Sequence, residues 1–283
     1  MSARRIEIPI LDDDGLYTPD VGDWAEDKYR RHKLYATLFT NSMRDKWKQL
    51  VYVDLFAGAG RSRVRPAGRI IPASPVLALS LKHPFDRYVF SEADPKRMQA
   101  LKARVARDYG DADVSFLAGD VNQQVGAVLS KLPPKGNALT FCFADPFSFK
   151  NLPFATIQRL ADRYIDFLVL IPTGYDATRN ERRYVFPDNP TVDSFLGRRD
   201  WRDDWLSARA GGQTFDHFIT DSFGAAMRSL GYIYGGIESS ELIRSTKKHA
   251  RLYRLVLFSR HSLGSKFWGE ARKYSSNQRQ LPF

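Results

Sequence analysis

Val51-Tyr-Val-Asp-Leu-Phe-Ala-Gly-Ala-Gly60 reads as a buried strand that runs straight into a small-residue turn. Val51 and Val53 are β-branched, Asp54 stands near the strand end, and Gly58 and Gly60 keep side chains off the turn. Glycines let a backbone approach a nucleotide-like ligand, and a nearby carboxylate accepts hydrogen bonds from its polar end. A short Gly-x-Gly run also occurs in ordinary strand–loop connections, so the rest of the chain must decide.

Three further strands follow in the order that a nucleotide-binding parallel sheet requires. Tyr88-Val-Phe-Ser-Glu-Ala-Asp-Pro95 ends in acids and leads into a helical run from Lys96 to Tyr109. Glu92 stands where such folds place an acid for ribose hydroxyls. Val114-Ser-Phe-Leu-Ala-Gly-Asp120 is the third strand, and Leu139-Thr-Phe-Cys-Phe-Ala-Asp-Pro-Phe147 the fourth, apolar on both faces. Each ends in a carboxylate at the edge where open parallel sheets bind ligands. Any one of these acids could be a helix N-cap; four in series argue for a site.

The pattern resembles the Rossmann-like S-adenosylmethionine-dependent methyltransferases. That resemblance implies that Asp54, Phe56, Gly58 and Gly60 form the methionine-side loop of the cofactor site. It also implies that Glu92 holds the ribose and that Asp120 faces the adenine amino group. A dinucleotide dehydrogenase fits less well, because Arg63 stands where Gly-x-Gly-x-x-Gly needs its third glycine, and no phosphate loop is present. Asp-Leu-Phe-Ala-Gly-Ala-Gly also looks like the opening motif of DNA cytosine-5 methyltransferases. Those enzymes need a cysteine nucleophile after a proline. The only cysteine is Cys142, between Phe141 and Phe143 in an apolar strand, where it reads as an inert core thiol.

Ala144-Asp-Pro-Phe-Ser148 resembles the Asp/Asn-Pro-Pro-Tyr/Phe motif of amino-group methyltransferases with one proline missing. It is closer to the Asp-Pro-Phe-Gly stretch of tRNA guanine-N2 dimethyltransferases. The resemblance makes Asp145, Pro146 and Phe147 the candidate catalytic residues: an acceptor for an exocyclic amine, and an aromatic to stack on the base. The alternative is a proline-terminated strand in which Asp145 caps a helix starting near Leu152. Trp24-Ala-Glu-Asp-Lys28, Ala73-Ser-Pro75, Ala144 to Lys150 and Tyr253 to Trp268 together are similar to the bacterial three-Cys-motif partner proteins. That likeness spans roughly Gly22 to Trp268 and implies a partner protein with a three-cysteine, radical-enzyme-like motif. Ser148 departs from the glycine expected there, and its side chain could crowd a base.

The 283 residues, 43% of them apolar, suffice for one large domain with an insertion. The expected architecture is α/β: a Rossmann-like seven-stranded methyltransferase sheet with an N-terminal helix and an insertion after the fifth strand. Residues 1–22 form an arm, 23–174 and 213–262 the methyltransferase domain, 175–212 the insertion, and 263–283 a basic tail. Trp24 to Lys46 reads as a helix with Leu34, Tyr35, Leu38 and Phe39 as its apolar stripe. Tyr164 to Ile171 is the fifth strand, and Tyr232–Ser239 and Leu252–Ser259 an antiparallel pair closing the sheet. One cysteine excludes an internal disulfide, and the five histidines lack metal-ligand spacing. The short apolar stretch Ile6–Leu11 is no signal peptide and no run has membrane-span length, so a cytoplasmic protein is expected.

The net charge of +11 is concentrated. Leu242–Phe283 carries +9 and Arg61–Lys82 carries +5, which leaves −3 elsewhere; the insertion balances seven arginines against seven acids. Such clusters suit phosphate backbones. Arg61, Arg63, Arg65, Lys247, Lys248 and Arg251 are the candidate nucleic-acid contacts, and an acidic partner protein is the other reading. Two functions stay open. One is an S-adenosylmethionine-dependent methyltransferase acting on an exocyclic amine of a DNA or RNA base. The other is a non-catalytic or partner-dependent nucleic-acid-binding subunit serving the three-Cys-motif protein.

Overall fold

Alternation along the strands sorts the helices onto two faces of one sheet. The computed structural model describes residues 7–174, 178–245 and 250–276. Its strands are β1 (Asp20–Gly22), β2 (Gln49–Asp54), β3 (Arg61–Arg65), β4 (Arg69–Pro72), β5 (Arg87–Glu92), β6 (Val114–Ala118), β7 (Ala138–Ala144), β8 (Ile165–Ile171), β9 (Glu241–Arg244) and β10 (Arg251–Phe258). The helices are α1 (Ala25–Met43), α2 (Ser74–Leu79), α3 (Pro95–Asp108), α4 (Val121–Lys131), α5 (Phe154–Leu160), α6 (Thr178–Val185), α7 (Thr191–Leu196), α8 (Trp201–Ala210), α9 (Phe215–Ser229) and α10 (Ser262–Ser276).

Seven strands form the main sheet in the order β6-β5-β2-β7-β8-β10-β9. All pairings from β6 to β8 are parallel, while β10 runs antiparallel to both β8 and β9. The chain moves outward from β2 to β5 and β6, then returns to β7 on the other side of β2. The order therefore reverses between β2 and β7, where open α/β sheets bind ligands at the strands' carboxyl ends. Asp54 closes β2 there, level with Phe143 of β7.

Successive side chains of a strand point to opposite faces. Val51, Val53, Val89, Cys142 and Val169 join one core with residues of α4, α5 and α7 to α9. Tyr52, Tyr88, Phe90, Phe141 and Phe143 join a second core with α1, α2, α3 and α10. Phe141, Phe143 and Phe90 are fully buried, each stabilising the fold by about 1.5–3 kcal/mol. Helix starts follow local chemistry: Asp94 caps α3 by accepting from the Arg97 amide, with Pro95 in the first helical position.

Several expectations are corrected. Arg61–Arg65, the candidate nucleic-acid stretch after the glycine turn, is a strand, hairpinned with β4 and paired on its other side with β1. Its alternating burial explains this, since Ser62 and Val64 face inward and the arginines outward. The sixth strand in sequence is Glu241–Arg244 rather than Tyr232–Ser239, where only Ile233 bridges to Ser259 and Gly236 turns the chain at φ +76°. Part of the supposed basic tail is helix α10, which buries Trp268 and Ala271 and packs against α1. Lys247 and Lys248 lie outside the described residues.

Candidate active site

Asp54 braces the glycine turn from behind. It is fully buried, and its Oδ1 accepts from the Phe56 amide at 3.1 Å while Oδ2 accepts from the Tyr52 hydroxyl at 3.1 Å. The Tyr52 hydroxyl lies 2.7 Å from His32 Nε2, so with its proton given to Asp54 it accepts from that nitrogen. Burial pushes the Asp54 carboxyl up to about 7, against the lowering effect of Ser74, the Phe56 amide and Tyr52. His32, also buried, is pushed down to about 3. The Asp54 carboxylate thus orders the turn.

A pH dependence follows. The folded state holds the Asp54 proton over a range where the unfolded chain has released it, so this group's contribution to stability is lost as pH rises from about 4 to about 7. Denaturant unfolding across that window should show wild type losing on the order of 3 kcal/mol more than Asp54→Asn. Parallel profiles for the two proteins would refute the assignment.

Gly58 and Gly60 adopt φ of +65° and +81°, where side chains are strained. A Cβ on Gly58 would meet nothing within 4 Å, which leaves open space before the turn; on Gly60 it would press on Leu101 at 3.0 Å. Phe56 is half-buried against the core. Glu92 reaches across from β5: its Oε2 accepts from Gly58 N at 2.7 Å and its Oε1 from Asp94 N at 2.8 Å. The ribose candidate and the glycine turn are thus joined directly. Asp120 is exposed and caps α4 through the Asn122 amide at 3.0 Å.

Across the reversal point, Asp145 accepts a charged hydrogen bond from Lys28, a residue of α1 that sequence reading passed over. Burial alone would discharge Lys28, but the Asp145 carboxylate outweighs it and raises the amine's affinity for its proton. Tyr29 lies beside this pair, its ring 4.7 Å from Lys28 Nζ, and Tyr253 contributes to the field at Lys28. The Tyr253 hydroxyl is buried and finds no hydrogen-bond partner among the described residues. Pro146 is buried, while Phe147 is 94% exposed. Ser148, not Asp145, caps the turn that follows, a 3-10 helix at Phe149–Asn151, and the helix expected near Leu152 is α5, which begins at Phe154 after Pro153. The Ser148 hydroxyl donates to Asn151 Oδ1 at 2.9 Å, so the side chain expected to crowd a base is engaged locally.

The hairpin arginines Arg61, Arg63 and Arg65 each meet a carboxylate of the arm, whereas Arg251 stands near an Asp216 that Arg254 already holds through both oxygens. Arg61 pairs with Asp14 at 3.2 Å, Arg63 with Asp13 at 2.7 Å, Arg65 with Asp20, and Arg251 with Asp216 at 3.7 Å. Asp13, Asp14 and Asp20 belong to the N-terminal arm, which Arg104 anchors. Among the described residues no group of three His, Cys, Asp or Glu side chains is arranged to hold a metal, and no helix is long and apolar enough to cross a membrane.

No family model and no curated protein matches the sequence. A solved Legionella pneumophila protein of the DUF519 family model superposes with a TM-score of 0.50 at 12% identity, covering 88% of this chain and 91% of that one. Its likeness and the strand order agree. The fold is Rossmann-like α/β: a seven-stranded, mostly parallel sheet with helices on both faces. Trm1 from Pyrococcus horikoshii in complex with S-adenosyl-L-methionine overlaps more loosely, with a TM-score of 0.42 and 10% identity over 92% of this chain and 61% of that one. Magnesium protoporphyrin IX methyltransferase from Synechocystis with the same bound cofactor gives 0.40 and 10% over 82% and 80%.

Proposed function

We propose that the chain is an S-adenosylmethionine-dependent methyltransferase acting on an exocyclic amine of a nucleic-acid base, in the cytoplasm. The observation that carries this reading is the placement of Asp145, fixed by Lys28, beside an exposed Phe147, one strand away from the Gly58–Gly60 turn and two from Glu92. The open space before Gly58 and the adjoining Glu92 carboxylate suit the cofactor's methionine and ribose parts. When bound, the cofactor supplies an electrophilic methyl group on a sulfonium.

Asp145 is then an anionic acceptor for an amine N–H, orienting the nitrogen lone pair, while Lys28 fixes the carboxylate's position. Phe147 offers a face on which the base stacks. Holding the two reactants in line supplies most of the acceleration. The amine loses its proton after attack, so no strong general base is required.

Calorimetric titration with S-adenosylmethionine tests the cofactor site. Wild type should bind, and Glu92→Ala should bind at least about tenfold more weakly, as loss of a charge-assisted hydrogen bond implies. Unchanged affinity would remove Glu92 from the site. Asp145→Ala should keep cofactor affinity and lose methyl transfer to nucleic acid; retained transfer would sink the catalytic role. A second reading, a recognition subunit for a three-Cys-motif partner, draws on the engagement of both Glu92 oxygens by backbone amides. It predicts nucleic-acid binding without cofactor binding.

A further inference from the structure

The insertion lies against the candidate active site and holds an aromatic side chain out into solvent. Phe149, two residues beyond Phe147, packs on Tyr184 of α6 at 5.7 Å and Phe195 of α7 at 4.5 Å between ring centroids. Two residues past Tyr184 stands Phe186, 66% exposed. Its turn is built rather than loose. Arg202 donates to the carbonyls of Val185 at 3.2 Å, Phe186 at 3.1 Å and Asn189 at 2.8 Å, and stacks on the fully buried Trp201. Fixing a large apolar ring in water has no benefit for the fold; it suits a binding anchor.

Charge around this ring is uneven, although the insertion as a whole is neutral. Most of its acids are spent internally: Asp193 on Arg202, Asp200 and Asp204 on Arg198, and Glu181 on Arg209. Arg182 and Arg183, one helical turn before Phe186, are exposed and pair with no carboxylate among the described residues. Lys150, beside Phe149, is likewise exposed and unpaired among them. Asp188 is the exposed acid of the Phe186 turn. Exposed aromatics near cations that have no carboxylate partner among the described residues suit a platform on which successive bases stack while phosphates meet charge.

We propose that Phe186, Arg182, Arg183 and Lys150 dock the single-stranded nucleic acid flanking the base presented to Asp145 and Phe147. The proposal rests on the methyltransferase reading of that site and assigns it a strand-binding wall supplied by the insertion. The hairpin arginines, countered by the acidic arm, are not the principal footprint.

The test is fluorescence anisotropy with labelled mixed-sequence single-stranded RNA and DNA, across a range of salt. Phe186→Ala, whose side chain packs in no core, should weaken binding about 5- to 100-fold, the range for loss of a base–aromatic stack. Replacing Lys150, Arg182 and Arg183 together by alanine should flatten the slope of log affinity against log salt by about 2. Asp188→Lys should strengthen binding. Variants that bind as wild type would overturn the proposal while leaving the active-site reading intact, because that reading is judged separately by Asp145→Ala methyl transfer. Wild type that binds neither strand would also overturn it. So would competition by polyglutamate as effective as by oligonucleotide, which would mark the platform as a site for an acidic protein.

Discussion

Lys28→Met is expected to abolish methyl transfer while leaving a folded protein less stable by about 2–3 kcal/mol. The lysine side chain is 9% accessible and that of Asp145 19%. Removing the ammonium leaves a carboxylate poorly solvated and without its counter-charge, a change that destabilises more than the intact pair stabilises. Activity should fall further than stability suggests. An acceptor displaced by even 1 Å no longer orients an amine toward its target, a loss of about a hundredfold or more. The double variant Lys28→Met/Asp145→Asn separates the effects, since a neutral amide needs no counter-ion. It should recover most of the stability, measured by denaturant unfolding, and none of the transfer. Wild-type activity in Lys28→Met would show the pair to be idle.

Arg104→Ala should have the largest effect on stability, about 3–5 kcal/mol: Asp14 keeps Arg61 and Arg107, but the Ala59 and Tyr17 carbonyls and the Thr18 hydroxyl lose a buried charged donor together. Its guanidinium is fully buried in α3 and holds Asp14 through Nε at 2.9 Å and Nη2 at 2.7 Å. It also donates to the carbonyl of Ala59 in the glycine turn at 2.6 Å, to that of Tyr17 at 3.1 Å and to Thr18 Oγ1 at 2.8 Å. One side chain thus ties the arm to the turn, and it keeps the Asp14 carboxyl well below the usual range. Losing it should free the arm, read as faster chymotryptic cleavage after the exposed Tyr17, and loosen the turn, read as weaker cofactor binding. Arg104→Lys should not rescue it, because a point charge cannot reproduce the fork. An arm as protease-resistant as wild type would show that strands β1 and β3 hold it unaided.

The parallel strands were legible because they carry their own signal: β-branched and aromatic runs, all but β8 stopped by an acid. The same signal brought Asp54, Glu92 and Asp145 to one edge. What it could not reveal was the partner of each acid. Lys28 and His32 lie on α1 two turns and one turn before Tyr35, and a lysine and a histidine in an amphipathic helix ordinarily read as its wet face. They are buried because Asp145 and Tyr52, distant in sequence, meet them. Tyr35 likewise reaches Asp166 of β8 at 2.7 Å. The hairpin at Arg61 did have a local signal, the period-two alternation of Ser62 and Val64, which the run of arginines obscured. Leu263, Phe267, Trp268 and Ala271 similarly offered a helical stripe in α10. At Tyr232 the alternating tyrosines suggested a strand, but Gly235-Gly236 broke it before a ladder could form.

Cys142 is the only sulfhydryl in the chain, and it is wholly enclosed in β7, where burial pushes the thiol up. A maleimide finds no thiolate on the native molecule. A cysteine introduced at Phe147 or at Phe186 therefore becomes a unique attachment point for a dye or spin label, with the natural thiol left in place. The two ends of the aromatic wall can thus be watched one at a time, in solution, while an oligonucleotide arrives.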